Sequence, residues 1–195
     1  MAHYFRLNKS VIDKDCYETP TSVLDMVLEE LNPNKHYLFE PFPGTGHSTK
    51  YMRSKGFKVT NGPYTNFFDN NVAPEIEEEG YDLVVVTNPP FSLKKQALMK
   101  LQQLNVKRIA MLLPAGTLFL TYFDKLFPCD ETFSIIIHRG RVKFLDPNTQ
   151  QTLKGSASFD VLWCCGGLNL CKPIMYKSYR DYEICLMKSN STTVS

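Results

Sequence analysis

The chain has 195 residues, 43% of them hydrophobic and 12% aromatic, enough to bury one sizeable core and short for two. A net charge of +2 neither demands nor excludes nucleic-acid binding, and it requires any basic surface to be local. The N-terminus has no signal-like apolar segment and no stretch approaches the ~20 apolar residues of a membrane span, so a soluble intracellular protein with no membrane partner is expected.

The first organised segment opens at Tyr17-Glu18-Thr19-Pro20. Behind it Val23, Leu24, Val27, Leu28 and Leu31 share one helical face, which predicts a helix over 21–31 with a proline at its start. A strand is predicted over 37–40. It runs through Leu38-Phe39-Glu40-Pro41-Phe42-Pro43-Gly44-Thr45-Gly46-His47-Ser48 into a helix over 48–55. The two glycines let backbone pass close to a ligand, and a helix start offers free N–H groups. A strand over 58–60 then leads to Asn61-Gly62, with Asn66 ahead of Phe67-Phe68. The acidic run 75–79 reads as a solvated face rather than a metal site.

The next strand, 83–87, is β-branched and apolar and ends abruptly at Asn88-Pro89-Pro90-Phe91. Two successive prolines lack N–H groups and stop the strand, leaving a polar amide at its C-terminal end, where open α/β sheets bind ligands. Helices over 92–104 and 118–126 and strands over 108–113, 133–137, 142–144 and 158–165 complete the pattern. Strands and helices alternate early, while the last third is poor in helix. The expected fold is therefore α/β, a doubly wound, mostly parallel, seven-stranded sheet with an antiparallel edge strand. One domain over 1–188 is expected, with a disordered polar tail over 189–195. Six cysteines without C-x-x-C spacing read as reduced and mostly buried, and no metal is expected.

Taken together, the aromatic-x-Thr-Pro segment, the acidic strand end with its Gly-x-Gly turn, and Asn-Pro-Pro-Phe resemble the class I S-adenosylmethionine (SAM)-dependent amino-methyltransferases. These enzymes methylate exocyclic amino groups of nucleobases, and the whole chain resembles their compact adenine-N6 DNA methyltransferases of phages and other viruses. The resemblance implies a Rossmann-like methyltransferase fold and SAM as cofactor. It assigns Tyr17, Thr19 and Pro20 to the methionine part of the pocket and Glu40, with Pro41, Phe42, Gly44 and Gly46, to its amino-acid end. Asn61, Asn66 and Phe67 fall where the family contacts ribose and adenine. At both asparagines the family usually carries an acid, so contacts there are expected to be weaker.

For the chemistry, the resemblance makes the Asn88 side-chain oxygen and the Pro89 carbonyl acceptors for the target amino group. Pro90 keeps the turn rigid and Phe91 stacks on the base. The partner is then nucleic acid, DNA first, with its base flipped or single-stranded. Arg139, Arg141 and Lys143 alternate toward one face ahead of Phe144, and with Lys94 and Lys95 they form the candidate phosphate-facing surface. Two alternatives stay open: adenine-N6 or guanine-N2 methylation of RNA, and a non-catalytic nucleic-acid-binding or partner-activating subunit.

Overall fold

The computed structural model describes residues 15, 17–61, 67–69, 80–153 and 159–178. Seven strands form one sheet: β1 (His36–Glu40), β2 (Lys58–Asn61), β3 (Asp82–Thr87), β4 (Ile109–Pro114), β5 (Ser134–Arg139), β6 (Val161–Gly166) and β7 (Ile174–Ser178). Their order is β2-β1-β3-β4-β6-β5-β7. All neighbours pair in parallel except β6, which runs against both β4 and β5. Four α-helices are described: α1 (Thr21–Leu28), α2 (His47–Ser54), α3 (Lys94–Gln103) and the short α4 (Phe123–Leu126).

A two-residue side-chain period on the strands builds a core on each face of this sheet. Leu38, Val84, Val86, Ala110, Leu112, Trp163 and Cys165 point to one side, where Val23, Leu24, Val27 and Leu28 of α1 and Met52 of α2 cover them. Phe39, Val85, Ile109, Met111, Leu113, Leu162 and Cys164 point to the other, under Ala97, Leu98 and Leu101 of α3 and Phe123 of α4. Strands buried on both faces read as continuous apolar runs, and this is a Rossmann-like doubly wound sheet. The indole of Trp163 donates to the carbonyl of Val23 at 3.0 Å, which ties the reversed strand to α1.

Four expectations are corrected. The antiparallel strand is not at the edge: β6 is buried between β4 and β5, and the edge strand β7 is parallel to β5. No strand forms over 142–144, because Gly140 takes a left-handed turn (φ 95°) after β5. The chain then crosses to Leu145, whose backbone bridges Glu18 and Thr152. Of the four described cysteines, Cys164 and Cys165 are buried, but Cys129 and Cys171 are exposed. Pro20 also stands as the cap of α1 rather than inside it, its carbonyl accepting from the amides of Val23 (3.0 Å) and Leu24 (3.1 Å). The acidic run 75–79 and the tail 189–195 lie outside the described residues, and no described helix is long and apolar enough to cross a membrane.

The connectivity creates a switch point. From β1 the chain passes to β2 on one side and then to β3 on the other, so the crossovers diverge at the C-terminal ends of β1 and β3. A crevice at that point is where open sheets of this kind take ligands.

Candidate active site

Glu40 closes β1 and Thr87 closes β3, side by side on parallel strands. The Glu40 carboxyl is 2% exposed. Its Oε1 accepts a short hydrogen bond from the Thr87 hydroxyl and another from the Phe42 amide at 3.0 Å. Burial pushes its pKa up to about 8; these two donors pull it down, and the nearby Glu18 carboxylate pushes it up again. At neutral pH without a cation nearby, the group is therefore largely protonated.

Glu18, in the middle of Tyr17-Glu18-Thr19-Pro20, is a buried acid at this loop that sequence reasoning missed. It is 7% exposed. Its Oε1 accepts from both the amide (2.9 Å) and the hydroxyl (2.6 Å) of Thr45, between the two glycines. Its Oε2 is buried with no hydrogen-bond partner among the described residues. Gly44 adopts φ 54°, and a Cβ there would stand 3.0 Å from Glu18 Oε1, so this glycine is needed both for conformation and for room. At Gly46 (φ 83°) only the conformation demands glycine, since a Cβ would meet nothing within 4 Å. It turns the loop into α2.

Asn88 follows Thr87 directly. Its Nδ2 donates to the Tyr17 carbonyl at 3.0 Å, which fixes the amide's orientation. The opposite oxygen, Oδ1, is buried and has no partner among the described residues. An unpaired buried acceptor costs about 1–3 kcal/mol, and native structures keep few of them. Such an atom at a ligand-binding strand end calls for a donor that arrives with a ligand.

An aromatic wall backs the turn. Phe91 is only 5% exposed and meets Tyr17 (6.0 Å between centroids), Phe144 (6.0 Å) and Phe159 (5.1 Å). Tyr17 lies 5.2 Å from Phe144 and, like Phe159, is half-buried. In this arrangement Tyr17 presents more surface to the crevice than Phe91 does. Thr19, Pro20 and Pro41 are buried beside the loop, as is Pro89 in the turn, while Pro90 is half-buried.

Farther along the same edge, Asn61 ends β2 and accepts from the buried Thr49 hydroxyl at 2.8 Å. Phe67 packs against Phe42 (5.2 Å) and Phe39 (6.0 Å). Asn66 lies outside the described residues. The basic residues divide. Arg139, Arg141 and Lys143 are exposed while Val142 and Phe144 are buried, so the predicted alternation holds without a strand. Arg141 reaches Asp160 at 3.5 Å across an exposed surface, a pair of little energetic weight. Lys94 is turned inward, donating to the Phe91 carbonyl at 3.0 Å, and Lys95 lies 5.2 Å from the Tyr122 ring centre.

The resemblance drawn from the sequence implies SAM as cofactor, and the residues present fit it. Two buried carboxylates suit its cationic end, a left-handed glycine loop permits close approach, and an orphan acceptor faces the crevice beyond. No protein-family model and no curated protein matches the chain. Among solved structures, the crystal structure of the 23S rRNA methyltransferase ErmE is similar at a TM-score of 0.40 and 13% identity, over 90% of this chain and 78% of that one. At that level the likeness bears on no individual residue.

The Glu40 shift has a testable sign. The unfolded chain releases this proton near 4.5 and the folded protein near 8, so the native state holds the extra proton in between. The stability it confers is full below 4.5 and is lost as pH rises through 8. In thermal melts of the ligand-free protein, Glu40→Gln should remove part of the fall in midpoint between these pH values. An unchanged slope would contradict the assignment.

Proposed function

We propose that the protein is a SAM-dependent methyltransferase acting on the exocyclic N6 amino group of adenine in DNA. The observation that carries this reading is the buried Oδ1 of Asn88, without a partner among the described residues and oriented by the donation of Nδ2 to the Tyr17 carbonyl, at the C-terminal end of β3, one residue beyond the Glu40–Thr87 contact. DNA is favoured by the resemblance of the whole chain to compact adenine-N6 DNA methyltransferases.

An adenine amino group is a poor nucleophile because its lone pair is delocalised into the ring. Asn88 Oδ1 and the Pro89 carbonyl accept its two N–H bonds and hold the nitrogen nearer tetrahedral geometry, with the lone pair free to attack. When bound, SAM supplies an electrophilic methyl group on a sulfonium. The protein's contribution is alignment and charge accommodation, so no strong base is needed. Glu40 and Glu18 bind the cationic cofactor end, and Glu40 gives up its proton as it does so. Tyr17 and the aromatic wall form the apolar side of the base pocket, and Pro89 and Pro90 keep the acceptors in place. Arg139, Arg141 and Lys143 contact phosphates beside the pocket.

Asn88→Ala is expected to lower methyl transfer by about 10²–10³-fold while leaving SAM affinity, measured by calorimetry, within a small factor of the parent. Transfer at the parental rate would sink this mechanism. Replacing Arg139 and Arg141 together by alanine should weaken DNA binding and flatten its dependence on salt, with the thermal midpoint unchanged. Equal affinity and an equal salt slope in parent and variant would remove the phosphate assignment.

A further inference from the structure

Beyond β4 the chain makes a single-turn 3-10 segment (Ala115–Phe119) and returns through 120–122 to α4. The base of this loop is pinned. The Ala115 amide donates to the Asp160 carbonyl at 2.9 Å, Thr117 is buried, and the amides of Leu120 and Phe123 donate to Thr117 (3.1 Å) and Leu120 (2.9 Å). The tip is the opposite: Phe119 is 87% exposed and Leu120 39%. A large aromatic held in water on a braced loop gains nothing for the fold, because it buries almost no apolar area there.

Its placement shows what it can do. β3 and β4 are adjacent parallel strands, so the segment after β4 stands beside the Asn88 turn after β3. Tyr122 on this loop sits under Lys95 in the first turn of α3, the helix that starts immediately behind that turn. The loop beside the site therefore carries an exposed aromatic with an aliphatic neighbour, and a cation over its Tyr122 ring. Arg139, Arg141 and Lys143 lie exposed where the chain leaves β5, on the far side of β6 in the sheet order. Apolar groups in such a position can fill a gap in a base stack, at a site that must take its base out of one.

We propose that Phe119, supported by Leu120, is a wedge that enters the base stack of a paired nucleic acid and occupies the space left by the extruded target base. This rests on the function proposed above and assigns a positioning residue to the same site. Unstacking and unpairing a base costs a few kcal/mol. A side chain that recovers part of this should matter only when the target starts out paired.

The test uses two DNA hairpins, and two RNA hairpins of the same sequence, that differ only in whether the target adenine is paired or lies in an unpaired gap. Phe119→Ala should lower kcat/KM on the paired hairpin by roughly 10–100-fold and change it by less than about threefold on the unpaired one, with Phe119→Trp restoring the paired rate. With 2-aminopurine at the target position, the parent should raise fluorescence on binding and Phe119→Ala should not. Exposure of the side chain leaves the fold intact, which an unchanged melting midpoint checks. Equal loss on both hairpins, or no loss on either, overturns the wedge while parental activity keeps the function standing. A parent that methylates no hairpin of either kind overturns both.

Discussion

The structure turns on how two neighbouring parallel strands end. β1 and β3 both run into proline-containing turns, so neither ladder can continue and the polar groups at their ends must be satisfied by side chains. Thr87 and the Phe42 amide take Glu40 Oε1, and the Tyr17 carbonyl takes one half of the Asn88 amide. One half of that amide and one oxygen of Glu18 are left over. The crevice is therefore built around acceptors that the described residues do not satisfy. Asn88 directly follows β3 and Glu18 lies just before α1, so both are anchored next to elements that the two cores hold in place.

Electrostatics and packing divide the crevice into two ends. At the glycine loop two buried carboxyl groups lie near each other; burial is the main reason Glu40 keeps its proton, and the nearby Glu18 charge adds to it. At the Asn88 turn the packing is aromatic, from Tyr17, Phe91, Phe144 and Phe159, with Lys94 donating to the Phe91 carbonyl beside it. A charged end and an apolar end joined by a neutral amide suit a cationic donor and a flat, neutral acceptor.

Much of this was legible in the sequence, and the failures have physical reasons. Six of seven strands and the helices flanking the site were readable from apolar runs and turn residues, because each signal is local. The seventh, β7, escaped because, of Ile174, Met175 and Tyr176, just Met175 is buried, while Ile174 and Tyr176 point to solvent. Residues 142–144 have the alternation of a strand and the burial pattern of one, yet Gly140 turns them away from any partner. Periodicity reports which side of a segment is buried, not what it hydrogen-bonds to. The reversed strand was expected at an edge because sequence order says nothing about insertion between two existing strands. Glu18 was overlooked since its partner, Thr45, is 27 residues away and nothing local marks the contact. Lys94 and Lys95 looked like a basic pair, but a helix start and an aromatic neighbour give each its own role.

The measurement that tests the central claim most directly is incubation of the protein with methyl-labelled SAM and, in parallel, unmethylated duplex DNA, single-stranded DNA and ribosomal RNA, followed by mass spectrometry of the released nucleosides. The account predicts label in N6-methyladenine, recovered from DNA. Label on a ring nitrogen or on a base carbon, or no label in any pool from protein shown to bind SAM, would contradict the assignment of Asn88 as the acceptor for an exocyclic amino group.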